Sequence, residues 1–424
     1  LATNTIYQQS EIVRTKMIPM WMEMKYNVFT DLIDKGEVET VGERDYRIPF
    51  QQTFGGRGGH YDPQAGDMGR GSSPTGNVML QSYFNYRLNF EFDSLQIKAT
   101  TSKKVAQQNP FLKCVADGMS ELTLLWDKII HGNGTAKLAT SVGYSTSSGV
   151  SVYTMDNLFG TQLLRRGQFY TIYDSTLTTI KSAGTLFAQQ IYTAGRTLTL
   201  SGIVPSGASG DVICFEGVSG ASPAGPRGLQ YWISSALSGT TAGINRALET
   251  QIVAKSVNGV NGLTTEAVMA LYHQILMDRG AVANNLIGIA APAQQAYAYS
   301  QMMAIQMDLI DKAEATAFDR LPKIKGLKAF QWGGMPHYVD IHQDQTTVPY
   351  INPSEWGKAR LAPTGFYETP GKSGPDARFI QLMAGSGAPA AAVWFGLTKD
   401  EDLYTVNPGG QGVITNLPLG TFYQ

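Results

Sequence analysis

Between Val78 and Phe92 the chain alternates with a period of two. Val78, Leu80, Phe84, Tyr86, Leu88, Phe90 and Phe92 fall on one face, and Ser82 alone interrupts them. Gln81, Asn85, Arg87, Asn89, Glu91 and Asp93 fall on the other. Alternation over about 15 residues predicts a strand of roughly 50 Å at ~3.3 Å per residue, against ~5–6 residues for an ordinary strand. Such a strand reaches beyond its own domain and needs a cover for its apolar face. Residues 54–76 precede it with eight Gly and two Pro in 23 positions, a composition that builds a long excursion and no core. Asp45–Phe50 reads as the strand leading into this excursion.

Composition agrees with a chain whose surface is hidden by other chains. The 424 residues, 46.0 kDa, correspond to roughly three domains at ~150 residues each. Charged residues are 16%, well under the ~25% of an average soluble domain. The 33 basic and 34 acidic residues leave a net charge of −1, which excludes tight nucleic-acid binding through a strongly basic surface. Cys114 and Cys214 are too few for a disulfide framework or a four-cysteine zinc site, and read as buried small apolar side chains in a reducing compartment. The apolar run from Ala388 to Leu397 is ten residues with Pro389 inside it, too short for the ~20 that span a bilayer. No basic-then-apolar signal segment opens the sequence. The expectation is a soluble protein.

Other elements follow from periodicity and caps. A helix is expected from Pro19 to about Lys35, stopped by Gly36, and a long amphipathic one from Asn109-Pro110 to Gly132. In the second, Phe111, Val115, Met119, Leu122, Trp126 and Ile129 share a face. Residues 134–160 read as a Ser/Thr/Gly-rich connection. QFYTIYD, TLFAQQIY, RTLTLSGIV and DVICFEG then predict a small β-barrel or sandwich, closed by a Gly/Pro-rich hinge at Gly217–Gly228. Helices are expected at Asn245–Ser256 and Thr264–Arg279, a strand at Leu286–Ala290, and a helix from Pro292 to about Met307. LKAF and HYVDI around Gly333-Gly334 form a hairpin, and the last hundred residues alternate strands with turns.

The motifs that could carry chemistry read as inert. GSSPTGN at 71–77 carries Asn77 where a phosphate loop needs Lys, and a strand follows it where a helix is required. His60, His131, His273, His337 and His342 are scattered in sequence, and a core or solvated role outweighs metal binding. Ser141 in ATSVG has Ala139 in place of the first Gly of a nucleophile elbow. Asp308, Asp311 and Glu314 share a helical face, with Lys312 and Arg320 close in sequence, and read as solvated. Asn133-Gly134-Thr135 matches a glycosylation sequon and reads as a helix-ending turn. No catalytic, cofactor-binding or metal residue is assigned.

The order of elements, and above all GINRALETQIVAKSVNGVNGLTTEAVMALYHQILMDRGAVANNLIGIAAP at 243–292, resembles a tailed-bacteriophage major capsid protein of the Hong Kong 97 fold. The resemblance implies an α+β fold divided as follows: N-terminal arm, 1–44; extended loop, 45–100; peripheral domain with its spine helix, 101–159; inserted β-barrel, 160–226; axial domain, 240–350; peripheral return and C-terminus, 351–424. It implies a non-catalytic subunit that assembles with itself into hexamers and pentamers of an icosahedral shell around double-stranded DNA. Portal and scaffolding proteins are implied partners, with a decoration or cement protein as a further candidate, no cofactor and no membrane. Assembly in the host cytoplasm and residence in the virion follow from the same resemblance. Some relatives join an extended-loop Lys to an Asn of a neighbour. Here Gly36–Ile97 holds no Lys, only Arg44, Arg47, Arg57, Arg70 and Arg87, and Arg stays protonated and cannot serve as that nucleophile. The competing readings are an encapsulin-like shell for protein cargo, a multidomain hydrolase with a β accessory module, and an adhesin or surface-layer subunit. The absence of a Ser/His or paired-acid constellation weighs against the hydrolase, and the missing signal segment and long helices weigh against the adhesin.

Overall fold

The computed structural model describes residues 28–33, 45–53, 55–56, 71–93, 110–156, 160–221, 224–280, 285–298, 300, 329–361, 364–368, 378, 380–383 and 389–419. The arm before Val28, the tip at 57–70, the Asn109 cap, His60, and Asp308, Asp311 and Glu314 lie outside these residues. The chain divides into two compact units. The first is Leu1–Asn27, Phe84–Asp127 and Arg360–Glu401; the second is Val28–Tyr83, Lys128–Ala359 and Asp402–Gln424.

The alternating stretch is two strands, not one. β1 (Asp45–Thr53) pairs antiparallel with β2 (Thr75–Ser82), matching Asp45 with Ser82 and Ile48 with Met79. The chain leaves strand conformation at Tyr83 and Phe84, and β3 (Asn85–Asp93) begins a different sheet. The expected 50 Å strand is therefore corrected. Ser82, the one residue that broke the apolar series, is the last residue of β2.

In the first unit β3 pairs antiparallel with β20 (Pro389–Thr405), from Asn85 opposite Asp400 to Asp93 opposite Ala392. β17 is Trp356–Arg360, and β18 (Gly365–Phe366) and β19 (Ile380–Met383) also pair with β20. Helix α2 (Pro110–Ile129) contributes Leu122 to a core with Phe395 and Leu397, on which Val115, Met119, Tyr86, Leu88, Phe90 and Phe366 pack. A Cβ on Gly118 would stand 2.6 Å from Cζ of Phe90, so this glycine sets how closely helix and sheet approach. The expected amphipathic helix is present, although from Leu124 to its end every residue is buried.

The second unit holds two β structures. A closed barrel runs in the order β4-β5-β8-β7-β6-β9, with β4 Lys137–Ser147, β5 Val150–Met155, β6 Phe169–Tyr173, β7 Ile180–Tyr192, β8 Thr197–Leu200 and β9 Val212–Phe215. The stretch read as a connection, 134–160, therefore supplies two barrel strands. Its Ser/Thr alternation masked them, because β4 turns Ser145 and Ser147 outward and Leu138 and Ala139 inward. Only the end of the expected hinge is close-packed: a Cβ on Gly225 would lie 2.4 Å from the Thr135 carbonyl oxygen and one on Gly228 only 1.9 Å from that of Ile130, whereas Gly217 and Gly220 meet open space.

The other structure is a mixed six-stranded sheet, β12-β21-β16-β13-β15-β14. Its strands are β12 Lys255–Asn258, β13 Ile287–Ala290, β14 Ala329–Trp332, β15 Met335–Val339, β16 Val348–Ile351 and β21 Gly412–Thr415. The β14–β15 hairpin turns through Gly333 and Gly334, with φ of 56° and 80°, the left-handed pair a two-residue loop requires. Helix α4 (Thr265–Arg279) starts where Oγ1 of Thr264 accepts the Ala267 N–H at 3.2 Å and ends at Gly280, φ 59°. It buries Val268, Leu271 and Ile275 in the core with Leu286, Val339, Val348, Tyr350 and Ile414. The expected helix over Asn245–Ser256 is replaced by a hairpin of β10 (Thr240–Thr241) and β11 (Ile244–Asn245), a 3-10 turn at Thr250–Ile252, and β12. Parallel pairing of β12 with β21 overrides its helical spacing, since tertiary pairing outweighs local propensity. Helix α3 is Leu229–Trp232, and of the helix expected from Pro292 residues 292–298 are described.

Candidate functional site

The β1–β2 hairpin presents two unlike faces. Tyr46, Ile48, Met79 and Gln81 point inward and are buried; Arg47, Val78 and Leu80 point outward. Val78 and Leu80 are 47% and 48% exposed. The inward face is therefore the one carrying Gln81, opposite to the apolar stripe read from sequence. Beside Leu80, the β10–β11 turn lays Ala242 and Ile244 along β2, and Leu80 N–H donates to the Ala242 carbonyl at 3.0 Å. Leu248, 80% exposed, completes a groove of about 370 Å³ with Val78, Leu80, Ala242 and Ile244, edged by Asn77, Asn245 and Glu249.

Polar anchors fix the base of this hairpin. The Tyr231 hydroxyl accepts the Ala242 N–H at 2.8 Å and donates to Oε1 of Gln81 at 3.3 Å. That pair explains how a glutamine occupies a buried position without losing a hydrogen bond. Arg227 donates from Nη1 to the Ser82 carbonyl at 3.1 Å, while its backbone N–H meets Oδ1 of buried Asp402 at 3.0 Å. The Tyr46 hydroxyl and Trp232 Nε1 both donate to the Leu403 carbonyl, at 2.9 and 2.8 Å. Burial, then the Asp402 charge, pushes the Tyr46 phenol well above its usual range, so it remains a donor. At the far end Ser72 donates from both its N–H and its hydroxyl to the Gly55 carbonyl, each at 2.8 Å, where Gly55 has φ 74°. The hairpin is braced at both described ends, and its exposed face sets Val78 and Leu80 beside Arg47 and Ser82.

The residues singled out for chemistry take structural positions. Ser141 is buried in β4 and donates to the Ala208 carbonyl. Asn77 lies in β2 with Oδ1 accepting the Val78 N–H. Cys214 is buried in the barrel, its thiol pushed up to about 12 by burial, which leaves it inert. His273 lies tilted against Tyr272 on α4, ring centroids 5.7 Å apart. His337 is fully buried, with Nδ1 3.0 Å from the Met335 carbonyl and Nε2 2.8 Å from the Tyr350 hydroxyl. A carbonyl only accepts, so Nδ1 carries the proton and Nε2 accepts from Tyr350. Burial pulls this histidine down to about 4.

Two histidines that sequence left scattered meet a common carboxylate. His131 Nε2 lies 3.4 Å and His342 Nδ1 3.8 Å from Asp340. Asp340 also accepts the backbone N–H groups of Phe29, in helix α1 (Val28–Ile33), and of His342. Burial alone would raise the Asp340 pKa, but the His131 charge and these hydrogen bonds hold it below the usual carboxylate range. Its carboxylate is already engaged by backbone donors that fasten α1, and we read it as a buried tether. Among the described residues no helix is long and apolar enough to cross a membrane.

No protein-family model matches the chain, and no curated protein matches it in sequence. Among solved structures it is similar to the cyanophage A-1(L) capsid asymmetric unit, at 10% identity and TM-score 0.52, covering 96% of this chain and 98% of that one. Weaker likenesses include the capsid of a native GTA particle (8%, TM-score 0.47, 95% of each chain) and Gordonia phage Cozz (11%, TM-score 0.41, 96% of this chain and 93% of that one). The cyanophage likeness, running nearly end to end over both chains, shows the fold: this chain shares the architecture of that cyanophage capsid chain.

Proposed function

We propose that this chain is the major capsid protein of a tailed phage, assembling with itself into the hexamers and pentamers of an icosahedral shell around double-stranded DNA. The observation that carries the reading is the end-to-end likeness to a cyanophage capsid chain. The hairpin supports it independently: a braced projection with Val78, Leu80 and Leu248 in solvent is the feature expected of a subunit whose neighbour completes the surface. In this reading residues 1–44 are the arm, 45–83 the extended loop, 84–136 the peripheral domain with its spine helix, 240–350 the axial domain and 351–424 the return and C-terminus. The barrel is an inserted module. The role is structural and non-catalytic, with the virion as its location and the host cytoplasm as the place of assembly. Portal and scaffolding proteins are the expected partners. The near-neutral charge suits a wall that encloses DNA without gripping it.

Negative-stain microscopy of the purified full chain tests this. Closed particles in the wild type, and loss or misdirection of assembly with a folded subunit on deletion of residues 54–76, are the expected results. Normal particles from the deletion would remove the loop from assembly, and a monodisperse monomer at high concentration would overturn the shell reading. Nucleic acid inside particles purified from infected cells separates a phage capsid from a protein-cargo compartment.

A further inference from the structure

Three Asn-Gly pairs occur in the chain: Asn133-Gly134, Asn258-Gly259 and Asn261-Gly262. Such pairs can close on themselves when the glycine nitrogen reaches the asparagine side-chain carbon, so their surroundings decide their chemistry. Two of the three are locked. The Gly259 N–H donates to the Thr415 carbonyl and the Gly262 N–H to the Gly259 carbonyl, each at 2.7 Å. Both glycines are buried, and a Cβ on Gly262 would collide with the Tyr297 ring at 2.2 Å. Neither peptide can rotate to present its nitrogen without breaking a short hydrogen bond and a packed contact.

Asn133-Gly134 differs at the attacking nitrogen, although the Gly134 carbonyl accepts the Gly225 N–H at 2.9 Å and a Cβ on Gly134 would stand 2.9 Å from the Tyr231 ring. It follows α2 in an exposed turn, and among the described residues no acceptor takes the Gly134 N–H. Gly134 has φ 86°, a left-handed conformation that leaves its peptide free of Cβ hindrance. The Asn133 side chain is folded forward over that peptide: Oδ1 accepts the Thr135 N–H at 3.2 Å and the Thr135 hydroxyl at 2.6 Å. Two donors thus converge on the oxygen that becomes negative when the side-chain carbonyl is attacked, which is the arrangement that stabilises an oxyanion. Asn133 and Thr135 also line a polar cavity of about 250 Å³ shared with Lys128, Lys137, Asp156 and Asp344, which admits water to the side-chain carbonyl.

We propose that Asn133-Gly134 is a site of spontaneous backbone modification, assisted by the Thr135 hydroxyl. Solvent hydroxide removes the Gly134 amide proton, and the nitrogen bonds to Cγ of Asn133 while the carbonyl electron pair moves onto Oδ1. Collapse of this intermediate breaks the Cγ–Nδ2 bond, and Nδ2 leaves with a proton from water as ammonia, giving a five-membered succinimide. Water then opens the ring. Opening at the side-chain carbonyl yields aspartate, and opening at the backbone carbonyl yields isoaspartate, with the chain now running through Cγ. The net change is water in and ammonia out, adding one negative charge at the end of α2. The inference stands on the local geometry and does not require the shell reading.

The test is peptide mass spectrometry on the full chain after incubation in mildly alkaline buffer, reading conversion at all three pairs. In the folded protein Asn133 converts at least about fivefold faster than Asn258 or Asn261, and in denaturant the three rates fall within about twofold of one another, because the difference comes from positioning. Thr135→Val slows conversion at Asn133 severalfold and leaves the other two sites unchanged, whereas Thr135→Ser keeps the wild-type rate. Equal rates at the three sites in the folded chain, or a Thr135→Val rate equal to wild type, would overturn the proposal.

Discussion

β2 and β3 carry one continuous alternating pattern and meet opposite fates. In β3 the apolar residues Tyr86, Leu88 and Phe90 pack on Leu122, Phe395 and Leu397. In β2 the same register puts Val78 and Leu80 in solvent, while Met79 and Gln81 are buried. Period two establishes that a strand forms and that its faces differ. Which face the chain itself covers is set by what lies opposite. β3 has α2 and β20 in its own unit. β2 has the inward anchors Tyr231 and Tyr46, and its apolar face is left for something outside the subunit.

Large-to-small changes should separate the two strands most sharply. Phe395→Ala, at a fully buried ring stacked 5.1 Å from Phe90, should cost about 3–5 kcal/mol, read by urea denaturation. A loss below ~1 kcal/mol would mean that β3 is not held by this core.

Acid should weaken the two units differently. His337, in the second unit, has a folded pKa of about 4 against 6.5 when free. Its pKa is depressed, so the unfolded state takes the proton first. Stability of that unit falls as pH drops from about 6.5, reaching a loss of roughly 3 kcal/mol below about 4. In the first unit, burial raises Asp400, a cost at neutral pH that is relieved as pH falls through its folded value. Hydrogen exchange at pH 7 and near pH 5 should therefore show protection lost around β13, β15 and β16 before β3 and β20. His337→Asn should flatten the pH dependence of the second unit whatever it does to neutral stability. An unchanged slope would show that another group carries the acid response.

The smallest stability effect is expected at β2. Leu80→Ala should change subunit stability by no more than ~0.5 kcal/mol, because the side chain is 48% exposed, yet it should lower particle yield. A large loss in the isolated subunit would mean that the outer face is already covered by its own chain. Particles boiled in denaturant should also run as one band near 46.0 kDa, since the Lys-free loop has no amine for cross-linking. A reductant-resistant ladder would contradict this.

Much of this architecture was readable from local chemistry. Thr264 and Gly280 mark the ends of α4, Gly333-Gly334 marks a hairpin, and the spacing of Leu122 and Trp126 marks α2. The misreadings share a physical cause. Asn245–Ser256 has helical spacing, but its last two residues, Lys255 and Ser256, pair with β21, more than 150 residues away in sequence. β4 and β5 looked like a linker because a barrel wall shows Ser and Thr to solvent. The groove was illegible for the same reason: Leu248, Ala242 and Ile244 flank β2 only after the chain has folded back by about 160 residues. The Thr-Thr-Ala-Gly-Ile-Asn run at 240–245, β-branched residues around a small turn, was a usable signal for the hairpin. Nothing local announced that His131, Asp340 and His342 converge.

The central claim is that the outer face of β2 is completed by another copy of the chain. Leu80→Cys reports on it directly, through its maleimide reaction rate in the free subunit and in assembled particles. The buried Cys214 thiol gives little background, and wild-type chain corrects for the rest. The account predicts fast labelling of the subunit and labelling slowed by about tenfold or more in the particle. Equal rates in the two states would contradict it.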